Sequence, residues 1–184
     1  MSYETAIVKA WDELLKLRPE INLTVRFLSD EYAVDTLNRR IVSVSCNVSA
    51  KDFLVILLLH YLIRRFNGIV PPSGEWLTFR ELSGVEGYAA AFRKRAIEPL
   101  IRKYGRNPEG IFSAQERLTA KRLQETDAAA MVFEVFPGVP VLVKIWKADE
   151  EFGPDANIFF DRSITGIFCT EDIVVLAGLI AESL

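Results

Sequence analysis

Aromatic and basic residues cluster in a part of the sequence where loops are expected, and loops often carry ligand-binding side chains. These residues are Trp76, Arg80, Tyr88 and Arg95. An arginine guanidinium binds a carboxylate or phosphate through two parallel hydrogen bonds, and aromatic rings form the apolar walls of small-molecule pockets. The group therefore predicts a pocket for a small anionic ligand. The alternative is a structured loop that Trp76 pins to the core.

Carboxylates form a second group, after the strands predicted in the last third of the chain. Asp149 and Glu150 lie in an acidic run, and Asp161 follows a later strand. Clustered carboxylates bind Mg²⁺ or Ca²⁺ through oxygen, and two of them can divide acid and base roles between them. A carboxylate-based, Mg²⁺-dependent enzyme with His60 or Arg80 in support is therefore an alternative to a binding module. Acidic runs that follow a strand are nevertheless more often solvated turns.

The chain has one histidine and two cysteines, Cys46 and Cys169. His60 lies in a long apolar run, which favours a neutral core histidine over a general base or ligand. Both cysteines lie in apolar, strand-like stretches and are expected to be reduced core residues. Without a CxxC or Cys/His spacing, the sequence predicts no cofactor or metal held by cysteine or histidine, and it assigns no catalytic residue.

Charge is distributed unevenly, although the formal net charge is only −3. Residues 1–75 are neutral, residues 76–124 carry +5 and residues 125–184 carry −8. This asymmetry is typical of a polar binding surface, unless the basic helices pack beside the acidic segment so that the charges offset each other. A pI near 5.4 argues against nucleic acid as a partner.

Hydrophobic periodicity predicts the elements that position these residues in the first half of the chain. Helical spacing predicts a helix at about 3–17. Alternation predicts an antiparallel meander with strands at about 21–27, 32–37 and 41–48. A run that is apolar on every side predicts a buried central helix at about 53–65, with its cap at Ser49.

The second half is predicted to contain two helices, a hairpin, one or two single strands and a last helix capped by Thr170. Their approximate ranges are 85–104, 113–124, 131–136 with 141–146, 157–160 and 166–169. Gly105 suits the end of the first of these helices, and Pro137-Gly138 fits the centre of a type II turn. Strand runs are separate from helix runs, which predicts an α+β fold. We expect a single domain over 1–184, with a mostly antiparallel sheet and about five helices.

The longest apolar run, at 53–63, is too short to cross a bilayer as a helix, which needs about 20 residues. The first residues include an acid and lack the basic segment of a secretory signal. The sequence therefore predicts a cytoplasmic protein without a membrane partner.

Seven segments together resemble the signature of a known family. They are His60–Leu62, Pro72–Gly84, Tyr88–Arg95, Phe136–Pro140, Trp146–Phe152, Phe160–Ser163 and Thr170–Asp172. The pattern covers nearly the whole chain and is similar to the domain-of-unknown-function family 3786 of bacteria and archaea, many of them anaerobes. This family has no established activity, so the resemblance implies a family rather than a mechanism.

Some members of that family carry an added cysteine-rich iron–sulfur module, which implies redox or corrinoid metabolism. This chain lacks those cysteines, so such a role requires an iron–sulfur or corrinoid protein as partner, and a structural docking subunit is a third hypothesis. In the acidic motif, Ala148 replaces the usual glycine. The motif residues of the family are largely aromatic, basic and acidic loop residues, which is typical of a binding site. A buried network of arginines and carboxylates that ties loops together would leave the same sequence pattern. The resemblance thus supports one pocket formed by Trp76, Arg80, Tyr88, Arg95, Asp149, Glu150 and Asp161.

Overall fold

The computed structural model describes residues 3–17 and 19–184, which form two antiparallel sheets with helices packed against them. The α-helices are α1 (Tyr3–Lys16), α2 (Asp52–Asn67), α3 (Ala89–Phe92), α4 (Glu98–Tyr104) and α5 (Thr170–Ser183). The strands are β1 (Asn22–Phe27), β2 (Asp30–Asp35), β3 (Arg40–Ser43), β4 (Trp76–Thr78), β5 (Ala120–Leu123), β6 (Ala128–Phe136), β7 (Val139–Trp146) and β8 (Asp155–Asp161). The small sheet has the order β1-β2-β3 and the large sheet the order β4-β8-β7-β6-β5. The predicted α+β class is confirmed.

The small sheet is the predicted meander, but its third strand is shorter than expected. β3 ends at Ser43, whose N–H donates to the carbonyl of Val48 after a tight turn that includes Asn47 at φ +56°. Ser49 then pairs back with β3 instead of capping α2. Lys51 occupies the N-cap position without a side-chain hydrogen bond, so the predicted cap at Ser49 is wrong.

Helix α2 is the central core helix that the sequence predicted. Its Leu57, Leu58 and Leu59 are fully buried, as expected for a helix enclosed by other elements. The hydroxyl of Tyr61 donates to the carbonyl of Pro137 at 2.9 Å, and its ring stacks on Phe136 with centroids 4.4 Å apart. These contacts fix α2 against the turn between β6 and β7.

The β6–β7 hairpin is confirmed, and its turn has the predicted chemistry. Gly138 adopts φ +78°, the left-handed conformation that the third position of a type II turn requires. The two sheets are joined at this end of the hairpin, because the N–H of Leu28 donates to the carbonyl of Val135 at 2.8 Å. Arg26 adds a bond from its Nη1 to the carbonyl of Glu134 at 3.1 Å.

The segment predicted as one helix at 85–104 is divided into three parts. A π-helical turn, Arg93–Ile97, separates α3 from α4. Pro99 lies in the first turn of α4 and explains the division. In a continuous α-helix its ring would clash with the carbonyl of Arg95, four residues earlier, and it could not donate to that carbonyl. The wider π turn relieves this conflict.

Gly105 ends α4, but the reason differs from the predicted one. Its φ is −59°, so no left-handed conformation is needed. A Cβ at this position would lie 2.6 Å from the carbonyl oxygen of Ile101 and 2.9 Å from Cβ of Pro154. A residue without a side chain is therefore required because the loop after β7 approaches closely.

Two predicted elements are wrong. The helix expected at 113–124 is a 3₁₀ helix, Pro108–Glu116, followed by the edge strand β5, because pairing with β6 overrides the local helical preference. The strand expected at 166–169 does not form, because these residues are the end of a 3₁₀ helix, Arg162–Gly166, and the irregular connection that leads into α5. No helix in the described ranges combines the length and apolar character needed to cross a membrane.

Candidate functional site

A groove of about 730 Å³ lies between α5 and the helical segment 93–103. Four basic residues line it: Lys94, Arg95, Arg102 and Lys103. Apolar side chains of α5 contribute to its walls, among them Val174, Val175 and Leu179. We call this feature the basic groove.

The π turn and one glycine position the basic groove. Arg95 lies within the π turn, while Arg102 lies in α4, so the turn changes the angular spacing of the two positions around the helical segment. On the facing helix, Gly178 carries no side chain, and a Cβ there would lie 3.7 Å from Cβ of Arg95. The absent side chain keeps the space beside Arg95 open.

Positive charge in the basic groove is largely unopposed. None of the ion pairs between described residues involves Lys94, Arg95 or Arg102. Nζ of Lys103 donates to the carbonyl of Leu184. Within the described part of the lining, Glu182 is the one carboxylate. The acidic C-terminal third of the chain therefore does not neutralise this face of the basic helices.

Asp161 serves as an anchor for the loop before β4. It is 1% exposed and accepts hydrogen bonds from the N–H groups of Ser73, Gly74 and Ser163, at 2.7–2.9 Å. Burial by itself would raise the pKa of Asp161, but these hydrogen bonds outweigh burial and lower the pKa to about 2. Its neighbour across the β4–β8 pair is Trp76, which is half-buried, so the structure does bring these two predicted site residues together.

Asp149 and Glu150 lie in the exposed loop after β7. Asp149 accepts hydrogen bonds from the N–H groups of Glu151 and Phe152, at 2.9 and 2.7 Å, which lower its pKa and shape the loop. Within residues 3–17 and 19–184, no group of three or more His, Cys, Asp or Glu side chains is arranged to hold a metal ion.

The remaining predicted site residues lie in different places. Arg80 is exposed in the 3₁₀ helix Phe79–Glu81. Tyr88 directly precedes α3 and donates through its hydroxyl to Glu171 in the first turn of α5, and this bond raises the pKa of Tyr88. Arg95 is the predicted site residue that lines the basic groove.

A second cluster lies where α2 meets the start of α5. Nδ1 of His60 lies 2.7 Å from Oδ2 of Asp172, and the thiol of Cys169 donates to the same oxygen at 3.2 Å. The His60 side chain is 34% exposed and that of Asp172 is 8% exposed. The three side chains line a cavity of about 290 Å³ that Arg64 also lines. We call them the His60–Asp172–Cys169 cluster.

The sequence profile of a family described as a domain of unknown function, DUF3786, matches residues 13–183 of the chain. The chain belongs to the DUF3786 family. The resemblance seen in the sequence is thereby confirmed, and the DUF3786 region includes the four basic residues of the basic groove and the His60–Asp172–Cys169 cluster. No curated protein and no solved structure matches the chain.

The cysteines of this DUF3786 chain differ from expectation, because both are free and exposed rather than buried in strands. Cys46 lies in the tight turn after β3, and Cys169 is the N-cap of α5, a position that the sequence assigned to Thr170. The hydroxyl of Thr170 donates instead to the carbonyl of Ser83. The spacing of Cys169 and Asp172 is that of a capping box, a local signal that was present in the sequence.

Proposed function

We propose that this protein is a binding module for a small anionic ligand and that the basic groove holds this ligand. The observation that carries the proposal is the concentration of four cationic side chains beside apolar walls, with one carboxylate among the described lining residues. Arg95 is both a site residue predicted from the sequence and a lining residue of the basic groove.

The lining defines the chemical class of the ligand. Guanidinium groups bind carboxylate or phosphate with two parallel hydrogen bonds, and lysine adds a compact positive charge. The apolar face of α5 favours a ligand with an apolar body next to its anionic group. A volume of about 730 Å³ lies within the usual range of small-molecule sites, roughly 300–1,000 Å³. The proposed ligand is therefore an amphipathic carboxylate or phosphate.

The π turn supports a binding role for the groove. A π-helical turn in an otherwise α-helical segment is uncommon and often occurs at functional sites. Here the turn contains Arg95. It directly precedes α4, where Pro99 prevents a continuous α-helix. Because the proline ring fixes this local geometry, the groove is formed before the ligand binds. A pre-formed groove reduces the entropy lost on binding.

The proposal places this binding module in the cytoplasm and in anaerobic metabolism, in keeping with the sequence expectations, and it assigns no catalytic role to the basic groove. Because the chain has only two cysteines, a role in redox or corrinoid metabolism would require an iron–sulfur or corrinoid protein as partner. In that case the anionic ligand of the basic groove would be the small molecule that the two proteins share.

The test uses 1-anilinonaphthalene-8-sulfonate, a fluorescent anion with an apolar body, titrated into the native protein. The double variant Arg95→Glu with Arg102→Glu reverses the charge of the groove and is expected to weaken binding of the probe at least tenfold. Arg80→Glu with Arg93→Glu changes the net charge equally at exposed residues that do not line the groove. Equal loss in both double variants would contradict the proposal, because it would reflect total charge only.

A second readout identifies the natural ligand. The protein is purified without oxygen or added ligands and its native mass spectrum is compared with its denatured mass. A mass excess that disappears in the Arg95 and Arg102 double variant assigns the bound anion to the basic groove. A mass excess that persists in that variant places the ligand elsewhere.

A further inference from the structure

The His60–Asp172–Cys169 cluster has a chemistry that anion binding does not use. We propose that Cys169 is an acyl acceptor that takes an acyl group from a small thioester, with the His60–Asp172 pair receiving the thiol proton. This activity is separate from the proposed function, since it requires none of the cations of the basic groove.

The cluster does more than end a helix. Side chains at the N-cap usually accept a hydrogen bond through an oxygen, and serine, threonine, aspartate and asparagine are the preferred residues. Sulfur is a weak acceptor, but the Cys169 side chain accepts the N–H of Asp172 in a capping box, and its thiol also lies 3.2 Å from Oδ2 of Asp172. The capping box accounts for Cys169 and Asp172 but not for His60, whose Nδ1 contacts the same oxygen of Asp172 at 2.7 Å.

The arrangement links a nucleophile to a base and the base to a third group, which is the pattern of an activated nucleophile. Asp172 Oδ2 is in contact with both Cys169 Sγ and His60 Nδ1. A proton that leaves the sulfur therefore has an acceptor within hydrogen-bond reach. The hydrogen bond between Oδ2 and His60 Nδ1 holds this carboxylate in place beside the sulfur.

A substrate can reach the sulfur. Cys169 is exposed, and the cavity beside it has a volume of about 290 Å³, enough for a small acyl group but not for a large substrate. Ile63 and Ile167 give the cavity an apolar part, while Arg64 lies in its lining as a cation. A short acyl chain fits the apolar part, and Arg64 supplies a positive charge in the lining of the same cavity.

The reaction balances without an oxidant or reductant. Sγ of Cys169 attacks the carbonyl carbon of the thioester and forms a new carbon–sulfur bond, while the proton of the thiol passes to the His60–Asp172 pair. The original carbon–sulfur bond then breaks, and the departing thiolate takes that proton. The products are an acylated Cys169 and a free thiol.

Acyl transfer and alkylation differ in what their leaving groups need. Partial burial of the sulfur raises the pKa of Cys169, and the neighbouring Asp172 carboxylate adds to that rise. The thiolate is the reacting form in both reactions, so both require a group that takes the thiol proton. In acyl transfer the His60–Asp172 pair also returns this proton to the departing thiolate, a step that alkylation by an iodide lacks.

Cys46 is an internal reference for the test. It is also exposed, and the hydrogen bond with Ser43 lowers the pKa of its thiol. The native protein is incubated with S-acetyl-N-acetylcysteamine, and acetylation of each cysteine is followed by peptide mass spectrometry. Cys169 is expected to acetylate faster than Cys46. Acetylation that is faster at Cys46 overturns the proposal.

His60→Gln removes the imidazole and is expected to slow acetylation of Cys169 on the order of a hundredfold, the lower range for loss of a general base. The rate of alkylation of Cys169 by iodoacetamide serves as the control for fold and access. A selective loss of acetylation supports the base. The proposed role of His60 is overturned if the variant acetylates at the native rate. It is also overturned if the rates of acetylation and alkylation change by the same factor.

Discussion

Oδ2 of Asp172 lies 2.7 Å from Nδ1 of His60, a residue 112 positions earlier in the chain. The contact ties the central helix α2 to the first turn of α5. The same oxygen accepts the N–H of Cys169 at 3.3 Å, so it also satisfies one of the free donors at the start of α5. One carboxylate thus holds both a tertiary contact and a helix terminus.

The double role of Asp172 predicts a clear loss of stability when its charge is removed. Asp172→Asn is expected to lower the free energy of unfolding by about 2 kcal/mol, because a largely buried, charge-assisted hydrogen bond is lost. Urea unfolding followed by circular dichroism measures this change. Glu171→Gln, at the exposed neighbouring position, is the matched control and should cost less. Equal effects of the two variants would show that Asp172 acts only through the charge of the helix end.

Asp161 predicts a stability that depends on pH. Its pKa is lowered from 3.8 to about 2 in the folded protein, so the folded state favours the carboxylate. The resulting stabilisation, about 2 kcal/mol, is fully present above pH 4 and is lost as the pH falls from about 4 to about 2. Asp161→Asn should therefore be less stable than the native chain at pH 7, and the difference should shrink at pH 2.

Urea unfolding of both proteins between pH 7 and pH 2 measures this difference. Glu75→Gln is the matched control, since Glu75 lies in the loop that Asp161 anchors and pairs with Arg162 on the surface. An exposed ion pair contributes little and is screened by salt, so this variant should change stability less than Asp161→Asn at pH 7. If the difference in free energy of unfolding between the native chain and Asp161→Asn stays constant down to pH 2, the proposed link between stability and the ionisation of Asp161 is refuted.

The burial of α2 in the core predicts a large loss of stability when one of its buried side chains is truncated. Leu58 is 0% exposed, and Leu58→Ala is expected to lower the free energy of unfolding by about 3 kcal/mol through lost burial and the cavity left behind. Leu37 is 76% exposed, so Leu37→Ala should change stability by less than about 0.5 kcal/mol. Thermal and urea unfolding compare the two. A small effect at Leu58 would mean that α2 is not enclosed.

Local patterns and long-range contacts account for what the sequence could and could not predict. The meander, α2 and the β6–β7 turn follow from local periodicity and from the need for φ +78° at Gly138. Strand β5 depends on pairing with β6, a tertiary contact that overrides local helical preference. Among the candidate site residues, Arg95 lies in the basic groove. The contact between His60 and Asp172 could not be predicted, because it joins residues 112 positions apart and leaves no local pattern in the sequence.

Gly178 allows the proposed use of the basic groove to be tested without a change of charge. A Cβ at this position would lie 3.7 Å from Cβ of Arg95, an ordinary contact distance, so Gly178→Ala should fold normally. Alanine has a higher helix propensity than glycine, and the variant should gain up to about 1 kcal/mol of stability. Gly178→Leu extends further into the groove and should weaken binding of 1-anilinonaphthalene-8-sulfonate at least tenfold while α5 remains folded.

The pair of variants separates occupancy of the groove from damage to the helix. Probe titration measures binding, and urea unfolding measures stability for both proteins. Reduced binding in Gly178→Leu together with near-native binding in Gly178→Ala places the anion between α5 and the π turn. Near-native binding in both would place the probe elsewhere on the surface, because a leucine next to Arg95 occupies the space that the ligand needs.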